Sequence, residues 1–233
     1  MMNNRSIPNN KVNQRHVSDM QGISLHPELS RFMDRRKAEF DQIPESRKKE
    51  LEELSAYVRR RLDVAGEAKL TFICTHNSRR SHFSQIWAKV AADAYGLGGV
   101  TTFSGGTEAT AMNTRVVDSL RRSGFVVDVD HAGADNPTYR VRYSDEVAPL
   151  ECFSKVFDQA PNPTADYAAV MTCASADEAC PIVRGCDLRA PIRYEDPKAA
   201  DDTAHEAGVY DQRSQQICRE MLYMMSRVEA AGE

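Results

Sequence analysis

The chain has 233 residues, enough for one domain of about 150 to 200 residues plus an appendage. Its 41% hydrophobic and 27% charged content is that of a globular domain, and a net charge of −4 argues against a nucleic-acid binder. With no apolar run long enough to span a bilayer and no secretory pattern at the start, no membrane partner and a cytoplasmic location are expected. The six cysteines then read as free thiols or redox groups, not as a disulfide framework.

Residues 1–25 are rich in Asn, Ser, Gln and charge without periodicity, and are expected to form a disordered tail. Residues 26–66 read as a helical extension. Leu29, Phe32, Met33, Phe40 and Ile43 fall near helical spacing, Pro44 breaks or restarts the helix, and Leu51, Leu54, Val58 and Leu62 continue on one face. Residues 1–66 carry 13 Lys+Arg and 10 Asp+Glu, whereas residues 67–233 carry 17 and 24. So small a basic bias reads as a solvated helical face.

The domain proper is expected over residues 67–233, organised around residues 69–95. Leu70-Thr71-Phe72-Ile73 has the composition of a buried strand, and Cys74-Thr75-His76-Asn77-Ser78-Arg79-Arg80 is a polar loop. Beyond Ser81, the residues Phe83, Ile86, Trp87 and Val90 keep the period of an amphipathic helix. A strand, a tight loop and a helix N-terminus together make an anion cradle, with backbone N–H groups and the helix dipole converging on one point. Arg80 supplies a fork of donors for a tetrahedral oxyanion, and the same field favours the thiolate of Cys74. A thiolate beside an oxyanion clamp points to attack of sulfur on phosphorus or arsenic. Cys-x5-Arg alone is weak, since this composition yields it by chance roughly 0.6 times; the strand, Asn77, Ser81 and helix around it make it specific.

Val100–Ser104 reads as a second strand, Asn113–Arg122 as a short helix stopped at Gly124, and Phe125–Val129 as a third strand of the same parallel sheet. Near 131–165 the pattern loosens into an inserted surface hairpin, with Tyr139–Tyr143 alternating and Cys152 read as packing. Ala168–Thr172 returns to a buried strand ending at Cys173, followed by Cys180-Pro181; Ala190–Tyr194 is a further extended run leading to Asp196-Pro197. A final helix carries Ile217, Met221, Met224, Met225 and Val228 on one stripe, a core face. Ligands of a parallel sheet bind beyond the carboxyl ends of its strands, so Cys74, Cys173 and Asp196 should meet at one edge. Asp196, stiffened by Pro197, suits a general acid, with an ordinary turn aspartate as the competing reading.

Cys74-Thr75-His76-Asn77-Ser78-Arg79-Arg80-Ser81 resembles the phosphate-binding loop of the low-molecular-weight protein tyrosine phosphatases and of the thioredoxin-coupled arsenate reductases that share their fold. The resemblance runs over about residues 69–228. It implies a three-layer α-β-α fold with a mainly four-stranded parallel sheet and the loop after the first strand; the helical extension lies outside it. By resemblance, Thr75, His76, Asn77, Ser78, Arg79 and Ser81 join Arg80 in binding the oxyanion. Ser81 bonds the nucleophilic sulfur, Asn77 pins the loop backbone, and Asp196 is the acid. His76 and Arg79 depart from the family's usual Gly and Cys, and Arg79 is expected to make the mouth more positive.

Two activities follow from the resemblance. In an arsenate reductase, Cys74 binds arsenate, Cys173 attacks Cys74 to expel arsenite, and Cys180 attacks Cys173, leaving a disulfide for thioredoxin. The Cys-x6-Cys-Pro spacing favours this branch, as does Lys198-Ala199-Ala200 just after the acid, where phosphatases of the family tend to display tyrosines. A phosphatase needs only Cys74, Arg80 and Asp196 to hydrolyse a phosphomonoester through a phosphocysteine. Structural thiols remain a competing reading of Cys173 and Cys180, and a non-catalytic oxyanion binder or thiol sensor is the reading from another class. No cofactor is expected beyond an external thiol reductant, and no metal, because a zinc site with Cys186 lacks Cys-x2-Cys spacing.

Overall fold

A computed structural model describes residues 22–179 and 182–229. The expected tail over residues 1–21 and the expected relay thiol Cys180 lie outside the described residues. Strands β1 (Ala68–Cys74), β2 (Val100–Gly106), β6 (Tyr167–Met171) and β7 (Cys186–Ala190) form a parallel sheet in the order β2-β1-β6-β7. The two central strands, β1 and β6, are buried on both faces along almost their whole length, as strands covered on either side must be. Leu70, Phe72, Ala168 and Val170 face the larger core layer, which α2 (Glu45–Ala65), α3 (Arg80–Ala94) and α6 (Glu206–Glu229) help to build. Ile73, Ala169 and Met171 face a thinner layer with Cys173, Ala176 of α5 (Ala174–Ala179), Val183 and Phe157. The result is three layers, with the sheet in the middle.

Three expectations change. Phe125–Val129 is not a strand of the parallel sheet. As β3 (Val126–Asp130) it pairs antiparallel with β4 (Thr138–Arg142), which pairs antiparallel with β5 (Leu150–Cys152). Its Val-Val-Asp-Val-Asp pattern covers only one face, which suits an antiparallel sheet open to water. The last parallel strand is Cys186–Ala190; Pro191–Tyr194 continues outside any strand, because Pro191 has no N–H to give to a ladder. Residues 22–25, assigned by composition to the tail, are tied down: Ile23 N donates to Asp93 O, Ser24 N donates to Glu146, and Ile23 and Leu25 pack on the core.

The helical extension shares its core with the rest of the chain. Phe32 of α1 (Pro27–Lys37) stacks on Trp87 of α3 at 5.4 Å between centroids, and Phe125 meets that indole edge-on. A single turn at Phe40–Gln42 separates α1 from α2, and Pro44 stands at the N-cap of α2. Leu51, Leu54, Tyr57 and Val58 of α2 are buried, and Ser55 Oγ donates to Met224 O of α6 at 2.7 Å. α4 (Thr114–Arg122) begins at Asn113, whose side chain accepts from Arg115 N, and is followed by Gly124 at φ 104°.

His82, fully buried on α3, is pushed down to about 3 by burial first and by the Lys155 charge second. Neutral in the fold, it binds a proton in the unfolded chain below its ordinary value of 6.5. Stability is therefore expected to fall as pH drops from about 6.5 toward about 3, by roughly 1.4 kcal/mol per pH unit from this group. Denaturant titrations at several pH values, with His82→Gln beside the native chain, read this; the variant should lack that part of the slope.

Candidate active site

The site grows out of the carboxyl end of β1. Residues 74–79 turn from the strand into α3, and their carbonyls are drawn outward by neighbouring segments. Cys74 O accepts from Thr107 N, Thr75 O from Glu108 N and Thr107 Oγ1, His76 O from Thr110 Oγ1 and Ser154 Oγ, and Ser78 O from Asn113 N. Across a trans peptide the N–H points opposite to the C=O, so these bonds turn the following N–H groups into the loop. Gly106 permits this close approach: a Cβ there would lie 2.2 Å from Glu108 O and 2.6 Å from Asn77 N.

Asn77 is the pivot. It sits at φ 43°, the left-handed region that Asn tolerates better than most residues, and is completely buried. Its Nδ2 donates to Ser81 Oγ at 2.9 Å, its Oδ1 accepts from Lys155 N at 2.9 Å, and Ser81 Oγ lies 3.1 Å from Cys74 Sγ. Sulfur, hydroxyl and amide thus form one buried chain running from the thiol to the backbone of the 154–156 segment. Asn77→Ala would cut both bonds and leave alanine in a left-handed conformation. It is expected to destabilise the fold by about 2–4 kcal/mol and to lower turnover; a thermal melt and a steady-state assay together check it.

Cys74, Cys173 and Asp196 were expected at one edge, and the structure brings all three to the loop. Arg80 Nη2 pairs with Asp196 Oδ2 at 2.6 Å, and Arg80 Nη1 donates to Tyr194 O at 3.1 Å. Asp196 also caps the short turn Pro197–Ala200 through Lys198 N. Cys173 follows β6 directly, and its Sγ lies 3.6 Å from Thr75 Oγ1 and accepts from Ala176 N at 3.3 Å. His76 presents its side chain to solvent at the rim, and Ser78 is half-buried.

Arg79 corrects an expectation. It does not add free positive charge to the mouth, because its guanidinium turns toward α6. Nη2 pairs with Asp201 Oδ2 at 2.6 Å, and Nε donates to Tyr210 Oη at 2.6 Å, while that hydroxyl donates to Asp201 Oδ1 at 2.7 Å. Burial pulls the Asp201 carboxyl up, but the Tyr210 hydroxyl and Arg79 outweigh it and hold the carboxyl below its ordinary value. A carboxylate within reach attracts a guanidinium more strongly than open solvent does. Arg79 therefore fastens the loop to α6 instead of reaching for ligand.

Thr110, Asn113, Ser154, Lys155, Asp201 and Tyr210 support the loop and were not singled out from sequence. Of these only Asn113 carried a local signal, as the N-cap of a short helix.

No protein-family model matches the chain, and no curated protein does. Among solved structures, the chain is similar to a low-molecular-weight phosphotyrosine phosphatase from Vibrio cholerae O395, at 12% identity and a TM-score of 0.47, over 71% of this chain and 99% of that one. It is also similar to a YwlE mutant from Bacillus subtilis, at 14% identity and a TM-score of 0.47, over 70% of this chain and 99% of that one. A low-molecular-weight protein tyrosine phosphatase from T. tengcongensis is similar at 15% identity and a TM-score of 0.46, over 69% of this chain and 99% of that one.

Proposed function

We propose that this chain is a thiol-dependent oxyanion enzyme that hydrolyses phosphomonoesters through a phosphocysteine at Cys74. The observation that carries the reading is the convergence of a buried thiol, bonded to Ser81 at 3.1 Å, with a guanidinium–carboxylate pair at 2.6 Å that joins Arg80, at the end of the thiol's loop, to Asp196 of the segment after β7. The loop N–H groups and Arg80 hold the three non-bridging oxygens of a phosphoryl group. A bound dianion competes with the Asp196 carboxylate for Arg80. Released from Arg80 and placed beside the dianion, Asp196 holds a proton for the leaving oxygen.

Cys74 thiolate then attacks phosphorus, the S–P bond forms, and the P–O bond to the leaving alcohol breaks as Asp196 gives up its proton. Water attacks the phosphocysteine, its proton passes to the Asp196 carboxylate, and the S–P electron pair returns to Cys74. The Ser81 hydroxyl, held by Asn77, stabilises the sulfur anion in both steps. Rapid acid quench during hydrolysis of an aryl phosphate should trap one phosphoryl group per chain on Cys74. Hydrolysis without such an adduct would overturn the mechanism.

Arsenate reduction is the second reading, favoured by one observation: a second buried thiol, Cys173, lies 3.6 Å from the loop at Thr75 Oγ1. Here Cys74 sulfur displaces water from arsenate. Cys173 attacks Cys74, and the S–As pair stays on arsenic as it leaves as arsenite. Cys180 attacks Cys173 to reform the Cys74 thiolate, and an external dithiol such as thioredoxin reduces the Cys173–Cys180 disulfide. A single turnover of reduced protein with arsenate separates the readings. One arsenite per chain with a Cys173–Cys180 disulfide supports reduction, whereas no disulfide alongside steady ester hydrolysis leaves a phosphatase.

A further inference from the structure

The acid loop is held from an unexpected direction. Arg47 stands in the first turns of α2, in the extension that precedes β1. Its guanidinium crosses to the segment between β7 and Asp196: Nη2 donates to Arg193 O at 2.5 Å, and Cζ lies 5.5 Å from the centre of the Tyr194 ring. Nη1 pairs with Glu50 at 2.7 Å on its own helix, and Nε faces Glu220 Oε2 of α6 at 3.5 Å. Glu220 is only 2% exposed, and Gln216 Nε2 donates to its Oε1. Burial pushes that carboxyl up, and the Arg47 charge is the largest influence opposing it, ahead of Gln216, the Tyr194 hydroxyl and Arg219. One guanidinium thus joins two helices to a loop.

What it grips is the frame of the catalytic pair. Tyr194 N donates to Thr172 O just before Cys173, and Tyr194 O accepts from Arg80; Asp196 follows two residues later. On the opposite side the Arg193 side chain pairs with Asp177 of α5, so the segment is held from both layers. The Tyr194 ring is buried beneath Arg47, fixing the peptide that Arg80 uses.

We propose that Arg47 is a positioning residue for the acid loop, making the helical extension part of the active site's support. This rests on the proposed role of Asp196 as general acid. A planar fork can meet a carbonyl, a ring face and two carboxylates at once, which a lysine cannot. The extension therefore has a function in the reaction itself, through the placement of Asp196 over the loop.

Leaving groups of different basicity supply the test. A general acid matters for phenyl phosphate, whose leaving oxygen is basic, and little for 2,4-dinitrophenyl phosphate, which leaves as a stable anion. Arg47→Met is expected to lower kcat/KM, which reports only the steps up to phosphocysteine formation, about tenfold on phenyl phosphate, to leave kcat/KM on 2,4-dinitrophenyl phosphate within about twofold, and to leave vanadate affinity within about twofold. Because Arg47→Met strands a buried carboxylate, the double variant Arg47→Met/Glu220→Gln is measured beside it. Hydrogen exchange at the amides of residues 192–198 gives a readout independent of activity, expected to quicken about tenfold in both variants. Equal losses on both esters, or unchanged exchange, would overturn the role of Arg47. A native chain that hydrolyses neither ester would instead remove the phosphatase reading, with exchange still deciding whether Arg47 holds the loop.

Discussion

Replacing Cys74 by serine is expected to stop phosphomonoester turnover, by roughly four orders of magnitude or more, while oxyanion binding persists. The reasoning separates the sulfur's chemistry from the loop's architecture. The loop carbonyls are held by Thr107, Glu108, Thr110, Asn113 and Ser154, and none of those bonds uses sulfur. The substitution changes one atom at a buried position and keeps a partner for the Ser81 hydroxyl. What disappears is the sulfur nucleophile, and a serine hydroxyl attacks phosphorus far more slowly in its place. Single-turnover kinetics with an aryl phosphate and calorimetric titration with phosphate or vanadate read the two halves separately. Retained turnover would remove Cys74 as nucleophile; lost binding would mean that the sulfur organises the cradle.

Asp196→Asn should move the two readouts in opposite directions. Turnover of a substrate with a basic leaving group is expected to fall by about 10²–10³, because the amide has no proton to give. Affinity for inorganic phosphate should rise severalfold, because the carboxylate that occupies Arg80 at 2.6 Å is gone. The pair is partly exposed, so solvent screens it and the gain in affinity stays modest. A titration showing weaker phosphate binding in the variant would contradict competition between Asp196 and ligand for Arg80. Such opposite movement is not expected of a turn aspartate with no place in the chemistry.

Much of this site was legible from local pattern. The strand, loop and helix over residues 68–94 announce themselves because β1 carries a short run rich in apolar and β-branched residues and α3 repeats its apolar residues at helical spacing. Cys173 was readable because a buried strand ends there, and the stripe on α6 because five apolar residues share one face. Strand β7 was not: Asp187 and Arg189 interrupt its apolar run, as an edge strand permits. The partner of β3 was hidden because a strand with one wet face looks alike in either kind of sheet until its neighbour is known. Arg79 was misjudged for a long-range reason. Its partners Asp201 and Tyr210 lie more than a hundred residues away, and only the folded chain brings them together.

The unequal thickness of the two layers has a consequence for how the molecule opens. The layer beyond Ile73, Ala169 and Met171 is closed by six-residue α5 and by the segment around Phe157, whereas the opposite layer is sealed by long helices and stacked aromatics. Fluctuations that expose backbone amides should therefore arise first on the thin side, as a sub-global event well below the cost of unfolding. Cys173 lies on that side, shut away from solvent in the closed state. Transient lifting of α5 would give a thiol-reactive partner access to it.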